Sequence, residues 1–503
     1  MLSAWVFTSF WLCVIWYVAA APVKLELNPK ATIYNEIKAV THDADQRTVV
    51  IDLHESRRCE SPTFMIRLSG RSLYLLDLVQ HDHSPLTIKA VKEYFYPRAS
   101  SYVFSYPPLV DPGAYFLEVL VMFCTTFDPN DFRHICLEDI QEGRSVINLP
   151  YTFTVPTLEL PTEKKLEPRA RWVLSNNVVN ASLLPTRYQR SACGDGVYCD
   201  AQWSDLQMHR EFDWIDKPDW SNPLSTVLNK SDATGIDTKA TPAMINVCFI
   251  GASHARELMI HGQELKSTRN KVMFTWIESK YPSHFNLQAA IDQQCSYAVI
   301  GYGQWPASYY EKVPWPQHRY ANEMRNMMVN VKAHTGPVQL FLRSVNYNAL
   351  GAIITHCPPV DHRSPPVIAM YNSVIKSLTT ELGIGYIDLN HIMGPMWDSA
   401  LDWCHPKGKV FVAEVEHILY TIFTSSIKQN KFPKLVAGPP PPKENSLYRF
   451  NGDQTVFLYK DGLLRSFPNG RTFMAMGYDF DNVIVLVEGK RRSFDFGGEL
   501  PSM

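Results

Sequence analysis

Ser253, Asp402 and His405 are a hydroxyl, a carboxylate and an imidazole, the three groups that a serine acyl-transfer site requires. Asp402 and His405 share one short segment, Asp402-Trp403-Cys404-His405-Pro406, so a single loop presents both. Ser253 lies far earlier, in Gly251-Ala252-Ser253-His254-Ala255-Arg256. Each piece alone has a plain structural reading. A strand followed by Gly-x-Ser is a common turn, and an Asp-x-x-His often does no more than cap a helix. Their joint occurrence, in this order, points to chemistry. Ser253 is the expected nucleophile, His405 the base that takes its proton, and Asp402 the group that holds the imidazole tautomer. The developing oxyanion needs donors already in place. The expected ones are the Ser253 N–H, the Gly303 N–H and the Gln304 side-chain amide. Gly303 is also small enough to let the backbone approach a substrate closely.

The neighbours read more plainly. Arg256 is expected to be a helix-face ion-pair partner, and His254 to be exposed at the rim of the site. Arg343, His356 and His362 follow a strand and lie in reach of a substrate, but no spacing selects them. No cluster has metal-ligand spacing, so neither metal nor cofactor is expected.

Strands and helices alternate over 241–428, which predicts a parallel sheet covered on both faces, a three-layer α/β/α domain. The apolar run 244–250 reads as a buried strand feeding Ser253, followed by a helix over 255–265. Strands are expected at 271–277, 296–300, 338–342 and 386–388. Helices are expected at 285–294, 319–333, 367–382 and 409–423. In such sheets functional groups gather beyond the carboxyl ends of the strands, where Ser253 and the 301–305 segment would meet. Residues 22–155 show short alternating strands between Pro, Asp and Ser clusters, the pattern of a β-sandwich. Residues 156–240 lack periodicity and read as irregular structure that packs on or wraps the next domain. Gly438 and the four prolines after it mark a linker over 429–445, and 446–495 reads as a small β module.

The chain has 503 residues, enough for two or three domains, and a net charge of −2, which gives no reason to expect nucleic acid as a partner. Residues 1–20 read as a signal peptide, because 4–20 is almost wholly apolar and small residues precede Ala21. An uncleaved anchor is the alternative, and only that would put the protein on a membrane. No later stretch reads as a membrane helix. Loss of Cys13 with that segment leaves nine of the ten cysteines, an odd number, and Cys248 is the expected buried free thiol. Cys193 and Cys199 are spaced to close a small loop. Asn180-Ala181-Ser182 and Asn229-Lys230-Ser231 are glycosylation acceptors by pattern.

Gly251-Ala252-Ser253 with Arg256, Gly303-Gln304-Trp305 and Asp402-Trp403-Cys404-His405 together resemble the PC-esterase branch of the SGNH/GDSL hydrolase superfamily. With a sandwich in front, the chain resembles the neurexophilin and PC-esterase domain proteins, whose sandwich is similar to Ig-like filamin repeats. Two residues depart from the pattern. Ala252 stands where the family usually has Asp, and Gln304 where superfamily members often have Asn. The resemblance implies a serine-dependent O-acyl transferase or esterase, most simply for acetyl groups, acting on glycans or glycoproteins. The implied partners are an acylated carbohydrate or glycoprotein and, for transfer, an acyl donor. The implied location is extracellular, with the Golgi lumen as alternative. The competing expectation is a catalytically inactive glycan-binding or adhesion protein that keeps the fold.

Overall fold

A computed structural model describes residues 21–31, 34–54, 61–81, 100–128, 131–136, 146–148, 151–155, 171–174, 212–215, 217–231, 236, 242–308, 311, 314–333, 336, 338–346, 363, 365–396, 405–406, 408–437, 444–450, 455–480, 483–486, 497 and 499–500. The apolar leader, Asp402, His356, His362, Cys193, Cys199, the first glycosylation triplet and the proline run lie outside them.

The amino-terminal part is two antiparallel sheets sharing one core. β1 (Val23–Lys24), β2 (Ile37–Asp43) and β3 (Thr48–Leu53) open the chain. β4 (Ser61–Ser69), β5 (Ser72–Leu75), β6 (Asp77–His81), β7 (Ser101–Ser105) and β8 (Gly113–Asp128) follow. β9 (Asp131–Cys136) and β10 (Tyr151–Val155) complete the set. One sheet runs β1-β2-β3-β7-β6. β3 shows why: its residues alternate buried and half-buried, so Val49, Ile51 and Leu53 face inward while the others meet solvent. Val49 and Ile51 share a core with Ile66, Leu68, Leu117 and Val119 from the second sheet.

That second sheet does not end with the sandwich region. β11 (Arg171–Leu174) and β12 (Phe212–Ile215) extend it to the order β10-β8-β4-β5-β11-β12, with β9 on β8. Helix α1 (Ser221–Lys230) then packs on the next domain. Among the described residues, the segment expected to be irregular thus supplies two strands and a helix, and Trp172 and Trp220 in it are core residues. Trp172 is 1% exposed and joins Leu73 in the core of the α/β domain.

β13 (Ala243–Gly251), α2 (Ser253–Glu264), β14 (Val272–Glu278), α3 (Leu287–Asp292), β15 (Tyr297–Ile300), α4 (Gln317–Ala333), β16 (Gln339–Arg343), α5 (Pro365–Leu382), β17 (Gly385–Ile387), α6 (Asn390–Met393) and α7 (Gly408–Gln429) build that domain. Its parallel sheet runs β14-β13-β15-β16-β17, and β18 (Val436–Ala437) pairs antiparallel with the start of β13. β13 is buried on both faces, as a central parallel strand must be. Val247 and Phe249 face α2 and α7, whereas Cys248 and Ile250 face α3, α4 and α5. Helix α7 is long and apolar enough to cross a membrane by length and composition, which the sequence pattern did not suggest. Its apolar residues Val410, Phe411, Val415, Ile418, Leu419 and Ile422 fill the core of this domain.

Cys248 is not a free thiol. It is bonded to Cys295, with 5.7 Å between their Cα atoms. Cys295 ends the turn after α3, its N–H donating to Ala290 O, just before β15 pairs with β13. Parallel register thus brings together two cysteines that are 47 residues apart in sequence.

β19 (Leu447–Phe450), β20 (Val456–Lys460), β21 (Leu463–Ser466) and β22 (Val483–Leu486) form the last sheet, in the order β21-β20-β19-β22. β22 lies parallel to β19, so a crossover is needed, and α8 (Gly470–Ala475) provides it. Asn469 caps that helix, accepting from Thr472 N at 2.9 Å, where the sequence reads as all β.

Candidate active site

The topology puts a switch point between β13 and β15: α2 leaves toward one face of the sheet and α4 toward the other. Ser253 and the 301–304 loop lie just past these two strands. Register makes them neighbours, since Ile250 lies opposite Ile300 and Gly301 N donates to Ile250 O at 3.0 Å. Gly251 and Gly303 have φ of +155° and +144°, a region that glycine alone enters easily. A Cβ on Gly251 would stand 2.8 Å from Gly301 O, and one on Gly303 would stand 2.4 Å from Val345 Cγ2.

Ser253 is the first residue of α2, half-buried, and Ala252 stands at the cap with no side-chain bond. The first helical bonds run from Ala255 N and Arg256 N to Ala252 O. The N–H groups of Ser253 and His254 thus precede the intrahelical ladder, at the positive end of the helix dipole. Gly251 O is occupied elsewhere. It accepts from Ser279 N at 3.1 Å and from Trp276 Nε1 at 2.9 Å, which fixes the turn from below.

His405 lies just ahead of α7 and is half-buried. Its ring centroid is 5.0 Å from that of His254, the residue after the nucleophile. The structure therefore brings the Ser253 and His405 segments together; Asp402 lies outside the described residues. His254 is not exposed at a rim. It is 2% exposed, wedged between the His405 ring and the edge of Phe411, 5.8 Å away, because α7 closes over the start of α2. Arg256 pairs with Glu257 at 3.2 Å, an adjacent residue rather than one a turn away.

Gln304 is 8% exposed, and its Nε2 donates to Asn346 O at 2.6 Å. Its side chain thus braces the loop against the end of β16, leaving one amide N–H beyond that bond. Sequence reasoning did not find Asn346 and Glu414 beneath the loop, and it read Arg343 as open to a substrate. Arg343 is instead 3% exposed, and its guanidinium packs on the Cα of Gly301, where a Cβ would stand 2.5 Å from Nε. Asn346 Nδ2 donates to Glu414 Oε1 at 2.5 Å. Burial pushes the Glu414 carboxyl up to about 8, although Arg343 and the Asn346 bond oppose the shift. A glutamate in the middle of the apolar helix α7 was the available signal.

Beside the loop stands a shelf of rings. Lys280 Nζ lies 4.5 Å from the Trp305 ring centroid, and Tyr281 meets Trp305 edge-on at 6.1 Å. Tyr281 also stacks on Trp315 at 5.3 Å. Among the described residues no group of three or more His, Cys, Asp or Glu could hold a metal ion.

No protein-family model and no curated protein matches the sequence. Solved structures do. An acetyl xylan esterase is 12% identical with a TM-score of 0.25, the match covering 34% of this chain and 97% of that one. An α/β hydrolase from the metagenome of Lake Arreo, Spain, is 10% identical with a TM-score of 0.25, covering 36% and 97%. An extracellular lipase from Streptomyces rimosus is 10% identical with a TM-score of 0.22, covering 32% and 86%. What the site can do is read from its own residues.

Proposed function

We propose that the chain is a serine-dependent acyl-ester enzyme, an SGNH-type esterase or O-acyltransferase. One observation supports this reading: the His405 ring lies 5.0 Å from that of His254, the residue after Ser253, past a strand that pairs with the one leading to Gly303. Ser253 Oγ attacks the ester carbonyl as His405 takes its proton, and a tetrahedral oxyanion forms. The Ser253 and Gly303 N–H groups are the proposed donors for that charge. His405 then returns the proton to the leaving alcohol, leaving an acyl-Ser253. Water or a sugar hydroxyl accepts the acyl group in the second half, and exclusion of water decides between hydrolysis and transfer. Asp402 is the proposed orienter of His405, three residues away along the same loop.

The proposed substrate is an O-acylated, most simply O-acetylated, glycan or glycoprotein. It is supported by the resemblance to PC-esterase domain proteins and by the half-buried Trp305 and Tyr281 beside the loop, whose ring faces suit sugar rings. An Ig-like sandwich and an extracellular or Golgi-lumen location belong to the same reading, as does cleavage of the apolar leader. A second reading is a non-catalytic glycan-binding protein on this fold. Ala252 at the cap and the engagement of the Gln304 amide with Asn346 favour it.

A fluorophosphonate probe followed by peptide mass spectrometry tests the proposal. Labelling is expected at Ser253, and its loss in Ser253→Ala and His405→Ala proteins that still fold. Folded wild-type protein that takes up no label would leave the binding-protein reading standing.

A further inference from the structure

We propose that Glu414 is a positioning residue that ties the helix behind His405 to the loop carrying the oxyanion donors. The inference rests on the reading of Ser253 and His405 given above. The tie has two links. Glu414 Oε1 accepts from Asn346 Nδ2 at 2.5 Å, and Asn346 O accepts from Gln304 Nε2 at 2.6 Å. Glu414 and Asn346 are both fully buried, and Gln304 is 8% exposed, so neither link competes with water.

The ends of the tie are the two parts that must hold register during catalysis. Glu414 is on α7, which begins at Gly408, directly after the His405 loop. Gln304 follows Gly303, whose N–H is a proposed donor. The segment between is fixed from its other sides. Val345 N donates to Asn372 Oδ1 at 2.7 Å, Asn372 Nδ2 donates back to Val345 O at 2.8 Å, and Ser344 N donates to Ile387 O at 2.9 Å. Arg343 packs on Gly301 and Val345 packs on Gly303. A shift of α7 thus reaches the donor loop through Asn346 instead of being absorbed by solvent.

The chemistry of Glu414 fits this task. Its carboxyl is held toward the neutral form by burial. A neutral carboxyl can carry its proton on Oε2, the oxygen that Asn346 Nδ2 does not use; Glu414 Oε2, Asn346 Oδ1 and Gln304 Oε1 are all buried without a hydrogen-bond partner among the described residues. Glutamine reproduces that donor and acceptor pair; leucine has neither.

The test compares wild type, Glu414→Gln, Glu414→Leu and Asn346→Ala by hydrogen exchange of the 301–305 peptide and by the rate of probe labelling at Ser253. In folded Glu414→Leu or Asn346→Ala, exchange of that peptide is expected to rise about tenfold or more. Labelling is expected to slow about 10- to 100-fold. Glu414→Gln is expected to restore both. Asn346→Ala serves if Glu414→Leu does not fold, since it cuts the same tie from the other side. Unchanged exchange in both cutting variants would overturn the inference even if Ser253 labels normally. Raised exchange in a wild-type background that never labels would keep the tie and remove the enzymatic reading.

Discussion

Gly303 shows how little freedom the proposed donor turn has. Its φ of +144° and the 2.4 Å approach of Val345 to a hypothetical Cβ leave no room for alanine. Gly303→Ala must either move Val345, itself held by both bonds to Asn372, or displace the turn. The expected result is a fall of about 100-fold in labelling rate at Ser253, or in kcat on an acetyl ester, with folding retained. A wild-type rate would show that the turn is not part of the site. At this scale the sequence was informative about order. Ser253, Gly303 and His405 were chosen from their neighbours alone, and the structure sets the residue after Ser253, His254, against the His405 ring at 5.0 Å. Burial was not legible. His254 looked like a rim residue because its contact with Phe411 depends on where α7 crosses α2, and Gln304 looked like a free donor because its acceptor lies 42 residues away.

Elements with a local cause were the readable ones. β13 announces itself as an unbroken apolar run, and α2, α4, α5 and α7 by length and period. β11, β12 and the Cys248–Cys295 bond were not readable, because each depends on pairing between segments far apart in sequence. α8 was missed because Asn469-Gly470 has the composition of a turn; the same asparagine serves as a cap once the chain must cross over to β22. The junction of α6 and α7 carries a pH dependence. His391 and His417 meet edge to face at 4.8 Å, and His391 also packs on Trp214 at 5.9 Å. Burial holds the half-buried His417 imidazole at about 4, with His391 lowering it further. The unfolded chain binds this proton near pH 6.5 and the folded one does not, so stability falls as pH drops from about 6.5 toward 4. Thermal unfolding is expected to show Tm decreasing from pH 7 to pH 5, and His417→Phe to flatten that decrease. Superimposable pH curves for the two proteins would refute it.

Across the whole molecule, the sandwich keeps its own core while Leu73 and Trp172 of its second sheet join that of the α/β domain. Trp172 reaches from the second sheet into the α/β domain, and its Nε1–H donates to Ile392 O at 2.8 Å. Leu75, at the end of β5, packs against Gly394 just past α6. Lys217 pairs with buried Glu416 at 2.6 Å, and Lys409 pairs with Asp213 at 2.9 Å at exposed positions where an ion pair adds little. Trp172 is among the largest fully buried side chains and is the main apolar link at the junction. Trp172→Ala is expected to cost about 3–5 kcal/mol, visible as a lowered Tm of the full chain, whereas Trp172→Phe costs less. An unchanged Tm would mean that the two parts do not fold together.

That same indole bears on inheritance. A segment can be shuffled between genes as a cassette only if its fold closes over itself. Here the stretch that looks like a spacer completes one domain's sheet while plugging another domain's core. Recombination at either side of it would separate a peg from its hole, so the two parts would have to be passed on together.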